Sequence, residues 1–499
     1  MKTLEKATHM WYHKGIKRAL NRGYGVCVVY QKKTERVQMT IEDFILPFDG
    51  KLSADNDWVK LACLMPWEMV EEIYADKFKN ENPDGRPPVS ARIAFGALHI
   101  KATEQFTNEK TQKNITENPY MQYFLGFKSF QTEPPFDLSM MVHFGKRFTA
   151  EDIAKINEEL YRRTHPPKDD PPGDGGNKGT LVLDATCSPA DVRYPTDLSL
   201  LNECRENVER LIGDIWEETT KVGHKTSYSR KKARGKYLKI AKQRKPKRNT
   251  VKKAVFEQLD YVERSLSDID KLLTQIPENA LTDRQKERIN LIRQVALQQR
   301  EHAENPKESI PDRIVNLRQP HVRPIMRGKA GKPVEFGQKL AISVVDGFTF
   351  IEEQRFDSFN EGVTLIESAK KYRKRHGVWP EAILADTIYR NRENRRFCKQ
   401  HDIRLSGPKL GRPKAEEIEA DKEQAYRDSC NRNIVESKGG IAKRRYGLDR
   451  IFAYLDCTAK TEAAMIIFAM NAALCLRTLL SLFSILGFGR IKRKLWGFS

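Results

Sequence analysis

Three charged residues near the C-terminal end have side-chain types and a spacing that could support chemistry on a phosphate. In the segment SCNRNIVESKGGIAKRRYG, Arg432, Glu436 and Lys443 follow one another at steps of four and seven residues. On an α-helix, at roughly 100° per residue, these side chains fall within about 40° of one face. A carboxylate suits a hard metal ion and flanking cations suit a phosphate, as an enzyme that cuts nucleic acid requires. The alternative is an ordinary solvent-facing charged stripe.

Two aspartates upstream are the acids that could complete such a site. Asp184 follows the apolar run 181–183 and precedes turn-forming residues at 188–189, and Asp386 follows the apolar run 382–385. We expect each run to be a buried strand that ends at its aspartate, which places both acids at the carboxyl edge of an open α/β sheet. The alternative for either aspartate alone is that it merely ends a strand or caps the next helix.

The order of these acids resembles that of a known family. The chain has an Asp at each of two predicted strands and a Glu on a predicted helix. An Arg precedes this Glu with three residues between them, and a Lys follows it with six residues between them. This pattern resembles the DDE transposases of bacterial insertion sequences that carry the YREK signature. The segments 188–203, 323–348 and 117–127 are similar to the long-chain branch of that group, which has a helical insertion. The resemblance implies that Asp184, Asp386 and Glu436 are the catalytic, metal-binding carboxylates. It implies that Arg432 and Lys443 contact DNA phosphate.

The same resemblance implies a reaction and its partners. The three carboxylates would hold two Mg²⁺ ions, with Mn²⁺ able to substitute, for hydrolysis and strand transfer by in-line attack on a phosphodiester. A homodimer would form a synaptic complex with double-stranded DNA, both the inverted-repeat transposon ends and the target. The expected location is the bacterial cytoplasm, at the nucleoid, with no membrane partner. Two alternatives stay open: a catalytically silent transposase-derived DNA-binding protein, and an RNase H-like nuclease of repair or defence.

The chain departs from the family signature at one position. The signature tyrosine is expected where Ser429 stands, and the nearest tyrosine is Tyr426. The adjacent Gly439 and Gly440 also lie inside the predicted helix, and each costs roughly 1 kcal/mol relative to Ala in a helix interior. The pair is therefore expected to end or bend the helix, so the place of Lys443 depends on whether the helix continues.

Composition favours a polyanionic partner and a reducing compartment. The formal charge is +21 and the isoelectric point is near 9.5, which is typical of proteins that bind nucleic acid. The eight cysteines form no C-x-x-C pair, which argues against a zinc ribbon or a disulfide framework. Cys398 and His401 have ligand-like spacing without a second half-site, so we interpret them as ordinary helix residues.

The resemblance implies an α/β RNase H-like catalytic domain with an inserted helical coiled-coil region, preceded by an all-α N-terminal domain. In the all-α region, Ser90, Asn118 and Thr149 are the predicted helix N-caps. The predicted divisions are an N-terminal extension (1–49), a helical DNA-end-binding domain (50–162), a Pro/Gly-rich linker (163–179), the catalytic domain (180–200 and 311–489), a helical basic insertion (201–310) and a basic tail (490–499). The alternative for 50–162 is a purely structural bundle.

The insertion shows a heptad-like apolar pattern. Apolar residues recur at alternating steps of four and three from Val255 to Ile276, residues 201–215 repeat the pattern, and Thr282 with Gln285 forms a capping-box start. This pattern predicts a helical hairpin or a three-helix coiled coil. Dimerisation is the competing use of the same apolar positions.

The predicted connector 225–253 inside the insertion is strongly basic. It holds fourteen Lys or Arg and no acid. We expect it to bind DNA phosphates without sequence preference, and the alternative is a solvated loop. The cations assigned to DNA are Lys231, Lys232, Arg234 and Lys236.

Two further segments bear on location. The N-terminal residues MKTLEKATHMWYHKG contain no apolar core of a signal peptide. The apolar segment 463–486 is long enough to span a bilayer, but it contains Asn471 and Arg477, and an arginine is expensive in lipid. We therefore expect a helix that is buried in the catalytic core.

Overall fold

The computed structural model describes residues 40–47, 50–78, 88–166, 176–218, 230–277, 280–329, 332–408 and 418–485. Predictions for residues 1–39, for most of the Pro/Gly-rich linker (167–175) and for the basic tail lie outside the described residues. The helices of the first region are α1 (Asp57–Leu64), α2 (Trp67–Asp76), α3 (Ala91–Glu104), α4 (Asn108–Glu117), α5 (Pro119–Phe124), α6 (Met140–Arg147) and α7 (Ala150–Thr164).

The helix starts in this first region are the predicted ones. The Ser90 side chain accepts a hydrogen bond from the Ile93 N–H, and the Asn118 side chain accepts from the two residues that follow Pro119. Thr149 and the N3 aspartate form a reciprocal capping box at α7. These side chains satisfy amide groups that a helix N-terminus leaves unpaired, which is why the segment breaks into helices at these points.

The remaining elements form a mixed α/β arrangement with a long helical insertion after the first strand. The strands are β1 (Thr180–Pro189), β2 (Arg323–Lys329), β3 (Lys332–Val345), β4 (Phe348–Arg355), β5 (Ala382–Leu384) and β6 (Arg404–Leu405). The helices are α8 (Asp197–Glu218), α9 (Arg230–Ala241), α10 (Arg248–Leu273), α11 (Asp283–Glu304), α12 (Leu365–His376), α13 (Arg392–Gln400), α14 (Ile418–Tyr446) and α15 (Asp456–Ile485).

The six strands form one sheet in the order β2-β3-β1-β5-β6, with β4 also paired to β3. β1 runs antiparallel to β3 and parallel to β5, and β5 runs parallel to β6. β2 and β4 pair with successive halves of the long strand β3. The sheet therefore has an antiparallel half and a short parallel half that meet at β1.

The predicted apolar segment near the C-terminus forms the core helix α15. Asn471 is fully buried: its side chain donates to the Thr349 carbonyl oxygen and to Asn157, and it accepts from the Thr349 N–H. These bonds tie α15 to β4 and α7, which explains a polar residue in an apolar helix. The stretch Asp456–Thr478 is long and apolar enough to cross a membrane, but 78% of its most apolar window is buried against the protein.

The helical insertion packs through the predicted apolar positions. The predicted apolar positions from Val255 to Ile269 are buried, and Leu273 and Ile276 are partly buried against the cluster that contains Val262 and Ile269. The predicted capping box of Thr282 and Gln285 is present at α11. The predicted connector is partly wrong, because much of it is the helix α9, whose Ala233 and Ile240 are buried.

Candidate active site

Asp184 lies inside β1 rather than at its end, which corrects the prediction from sequence. β1 continues to Pro189 because its second half pairs with β3, as far as the pair Pro189↔Gly337. Glycine is needed at 337, since a Cβ there would lie 2.3 Å from the Ser188 carbonyl oxygen. The parallel neighbour β5 pairs only with Thr180 to Val182. Asp184 therefore borders a gap in the sheet that begins where β5 ends, beside the second half of β1. We call this gap the notch.

Asp386 follows β5 and lies level with Asp184. The parallel register pairs Val182 with Leu384, and two more residues along each chain lead to the two aspartates. The backbone is still extended at Asp386, with φ −71° and ψ 166°. Its Oδ1 accepts a 2.6 Å hydrogen bond from the Thr387 N–H, so it also caps the 3₁₀ turn Thr387–Tyr389, as the alternative reading of this acid expected.

The helix α14 carries the charged stripe and continues to Tyr446, through both glycines. The expected helix end at this glycine pair is therefore wrong. The reason is tertiary packing, because α14 lies against β1 and β5 and buries apolar side chains there, which offsets the weak helix propensity of glycine. The buried stripe of this part of α14 consists of Val435, Gly439, Ala442 and Tyr446.

The predicted charged stripe of Arg432, Glu436 and Lys443 lies beside this buried face. Arg432 is 31% exposed, and its Nη1 lies 3.7 Å from Asp386 Oδ1. Glu436 follows one turn later and is exposed, whereas Lys443 is half-buried. Tyr426 is 72% exposed and lies about 120° around the helix from Arg432, so it is not part of the stripe.

The electrostatic surroundings of Asp184 show which groups share the notch. Burial raises the pKa of Asp184, a bond from the Ala185 N–H opposes this rise, and the carboxylates of Glu361 and Glu436 raise the pKa further. Arg432 acts in the opposite direction. Asp184 and Glu436 are therefore close enough to interact, and Arg432 interacts with both aspartates.

Sequence reasoning missed three residues at the notch: Glu361, Lys339 and Tyr389. Glu361 opens a 3₁₀ turn, Glu361–Thr364, and pairs with Lys339 of β3 at 2.8 Å. The Tyr389 hydroxyl is buried, and its pKa is raised by burial and by the carboxylates of Glu361, Asp184 and Asp386. Neither turn has a periodic pattern, so only the tertiary fold reveals these residues.

Within the described ranges, no three His, Cys, Asp or Glu side chains stand close enough together to hold a metal ion. Cys398 is buried and the His401 ring packs on Trp379, as expected of ordinary residues. Carboxylate oxygens are nevertheless the ligand type that a hard divalent cation takes. Carboxylates that share a site repel one another, and a cation bound between them would offset both this repulsion and the burial of Asp184.

The predicted DNA-binding cations of the insertion lie on α9. Lys231, Lys232 and Arg234 are exposed. Lys236 is less available, because its Nζ lies 3.3 Å from Glu257 Oε2 and near the Tyr261 ring. We call these four residues the α9 cations. Three of them form an open positive surface.

Two segments of the chain match transposase families. Residues 383–472 match the family described as Transposase DDE domain, and residues 46–147 match the family described as Transposase domain (DUF772). Together with the relative described below, these matches support a DDE transposase of a bacterial insertion sequence. The first match contains Asp386, Arg432, Glu436 and Lys443, and the second covers the helices α1 to α6 of this transposase.

A more distant similarity concerns a shorter part of the transposase. Over 155 residues it is 29% identical to the "Uncharacterized protein ORF8 in nfe locus" of Rhizobium meliloti. The alignment covers 30% of this chain and 70% of that relative. No solved structure is significantly similar to the transposase.

Proposed function

We propose that this transposase binds the ends of its insertion sequence and catalyses metal-dependent strand cleavage and strand transfer, with Asp184, Asp386 and Glu436 as its catalytic carboxylates. The observation that supports the proposal is the parallel register of β1 and β5 together with the position of α14. The parallel register aligns the two aspartates, and α14 lies across the same strands and carries Glu436. Two of the three acids lie within the segment that matches the transposase DDE domain.

The arrangement of the chain's own groups suits an in-line attack on a phosphodiester. Divalent metal ions held by the three carboxylates would activate the attacking oxygen and stabilise charge on the leaving oxygen. Arg432 has donors to spare for a phosphate oxygen, because its distance to Asp386 is 3.7 Å and its side chain is partly exposed. Lys443 lies on the same stripe two turns beyond Glu436, where it would contact the next phosphates of the bound DNA.

The strand order supports an RNase H-like catalytic domain as part of this proposal. Such a domain would consist of residues 180–200 and 311–489, interrupted by the helical basic insertion 201–310. Residues 50–162 would bind the transposon end, although their helices share a continuous apolar core with α15 and the sheet. The helix packing in the insertion is compatible with a coiled coil.

The partners follow from the charges and from the reaction. The α9 cations would bind phosphates of double-stranded DNA, either the transposon ends or the target. A homodimer that pairs two transposon ends in a synaptic complex would allow both ends to be cleaved within one assembly. The location that fits this substrate is the bacterial cytoplasm, at the nucleoid.

The proposal is tested by removing each acid in turn. Asp184→Ala, Asp386→Ala and Glu436→Ala should each abolish Mg²⁺-dependent cleavage of DNA that carries the inverted repeats, since losing a ligand raises the barrier by about 3 kcal/mol or more. Binding to the ends, measured by gel shift, should stay nearly unchanged. Glu423→Ala is the matched control, because Glu423 lies on the same helix, is 64% exposed and pairs with Arg427 at the surface.

Three outcomes would contradict the proposal in different ways. Substantial cleavage by one variant removes that residue from the site. Cleavage that ignores the inverted repeats and is followed by no strand joining indicates a nuclease. A parent protein that binds ends but never cleaves them indicates a silent DNA-binding derivative.

A further inference from the structure

The first half of α14 is attached to the rest of the protein by very little apolar packing. Along residues 421–434, every residue is exposed or half-buried except Asp428, which is buried. The second half differs, because Val435 begins the apolar stripe that packs on the sheet. A helix is normally held through an apolar face, so a charged residue takes over this function in the first half of α14.

The buried carboxylate of Asp428 binds the guanidinium group of Arg404 through both of its oxygens. Arg404 Nη1 lies 2.6 Å from Oδ2, and Nη2 lies 3.0 Å from Oδ1. The Asp428 side chain is 7% exposed and that of Arg404 is 43% exposed. Gln424 Nε2, one turn earlier on α14, donates to Oδ1 at 2.9 Å. A two-point pair of this kind fixes orientation as well as distance, so it holds the helix at one height and one rotation.

The strand that carries Arg404 also leads to the backbone in front of Asp386. Arg404 lies on β6, and Ser406 is the residue that follows this strand. The buried Ser406 hydroxyl accepts from the Ala385 N–H at 3.0 Å and donates to the Ala385 carbonyl oxygen at 3.1 Å. Both backbone groups of the residue before Asp386 are therefore bound by one side chain. The segment 404–406 thus holds both Asp386 and the first half of α14.

Arg432 depends on this attachment more than Glu436 does. Arg432 lies one turn after Asp428, at a rise of about 6 Å along the helix axis. Its Nη1 stands 3.7 Å from Asp386 Oδ1. Glu436 is the neighbour of the buried Val435, so packing on the sheet holds its turn of the helix. Loss of the pair at Asp428 should therefore displace Arg432 and leave Glu436 nearly in place.

We propose that Asp428 and Arg404 are positioning residues, which hold Arg432 beside Asp386 for its contact with a DNA phosphate. Both residues act through Arg432. A buried ion pair contributes little net stability, because desolvation offsets the attraction between the charges. The gain from this pair is the orientation that it imposes on α14. The inference rests on the proposed function, because it requires that Arg432 takes part in cleavage.

The test is single-turnover cleavage of transposon-end DNA by the full-length protein, with end binding measured in parallel. Asp428→Asn keeps the side-chain shape but breaks the two-point pair. It should slow cleavage about tenfold, because a small displacement of a positioned group has a large effect on rate. Arg404→Lys keeps the charge without the fork of donors, so it should slow cleavage less. End binding should stay nearly unchanged for both variants.

Glu423→Gln is the matched control for Asp428→Asn. Glu423 lies on the same half of α14, and its 64% exposed side chain pairs with Arg427 at the surface. The control variant should cleave like the parent. Thermal unfolding checks that every variant is folded.

Two further measurements separate positioning from a merely structural role. If Asp428 acts through Arg432, adding Asp428→Asn to Arg432→Ala should slow cleavage by less than about twofold more. Amide hydrogen exchange of the protein without DNA reports on the helix itself. Asp428→Asn should speed exchange along residues 421–434 by about tenfold and leave residues 435–446 unchanged.

The outcomes distinguish this inference from the proposed function. If Arg432→Ala slows cleavage but Asp428→Asn cleaves like the parent, the proposed site stands and the positioning role is wrong. If the two effects multiply in the double variant, Asp428 acts by another route and the inference fails. It also fails if Asp428→Asn leaves exchange along 421–434 unchanged. If Asp184→Ala and Arg432→Ala both cleave like the parent, the site itself is wrong and both proposals fall.

Discussion

Replacing Arg432 with alanine tests whether the charged stripe of α14 contacts the scissile region of DNA. The Arg432 side chain is 31% exposed and its Nη1 lies 3.7 Å from Asp386 Oδ1. A partly exposed pair of this kind contributes less than about 1 kcal/mol to stability, so the variant should fold. A charge-assisted contact to a phosphate is worth roughly 1.5–3 kcal/mol, which corresponds to about a 10- to 150-fold slower cleavage step.

The assay is single-turnover cleavage of labelled transposon-end DNA at a fixed Mg²⁺ concentration, with end binding measured in parallel. Arg432→Lys should recover part of the rate, because it restores the charge but not the planar fork of donors. Arg427→Ala is the matched control: this arginine lies on the same helix, is 64% exposed and pairs with Glu423. If Arg432→Ala cleaves at the rate of the parent, the stripe is an ordinary solvated face and the family signature was assigned to the wrong helix.

Three other predictions follow from described residues. Lys443→Ala should slow end cleavage less than the loss of Arg432 does. Tyr426→Phe should cleave like the parent, because Tyr426 lies off the charged stripe. A large loss of cleavage for Tyr426→Phe would contradict this placement. Neutralising the α9 cations together should weaken binding to all DNA sequences. The slope of log affinity against log salt should fall by up to about three units, at roughly 0.9 per lost phosphate contact. An unchanged slope would show that the α9 cations form a solvated surface. His99 is buried, and burial lowers its pKa to about 3. Because the unfolded chain takes up this proton first, His99 should lower stability by about 1.4 kcal/mol per pH unit as the pH falls from about 6.5 to about 3. His99→Leu should remove this contribution from acid-unfolding curves.

Local sequence signals were sufficient to predict an element and its candidate site residue where both depend on residues that are neighbours in the chain. The run before Asp386 is indeed a short buried strand, and its parallel pairing with β1 places the acid at the sheet edge. The helix with Arg432 and Glu436 was predicted from the spacing of its charged residues and from the family resemblance, and it is present. Its continuation through two glycines was not predictable, because the compensating apolar contacts are with strands distant in sequence.

Local signals failed where long-range pairing overrides them. Ser188 and Pro189 indicated a turn, yet both belong to β1. The Ser188 hydroxyl donates to the Leu448 carbonyl oxygen, and the Pro189 carbonyl oxygen accepts from the Ile451 N–H. Glu361 carried no signal in the sequence, since a glutamate at the start of a short turn is common and its position beside Lys339 depends on elements that meet only in the folded chain.

The alignment of the acids is set by apolar residues that do not belong to the site. Carboxylates repel one another, so they do not draw themselves together. The pairing of Val182 with Leu384 fixes the level of the two aspartates, and a slip of one residue in β5 would turn Asp386 to the opposite face of the sheet. Burial of Val435 likewise fixes the rotation of α14, and hence the direction of Glu436, the next residue along the helix. The core therefore sets the positions of the three acids that we propose as the site, and a cation bound there would gain from an arrangement that is already in place.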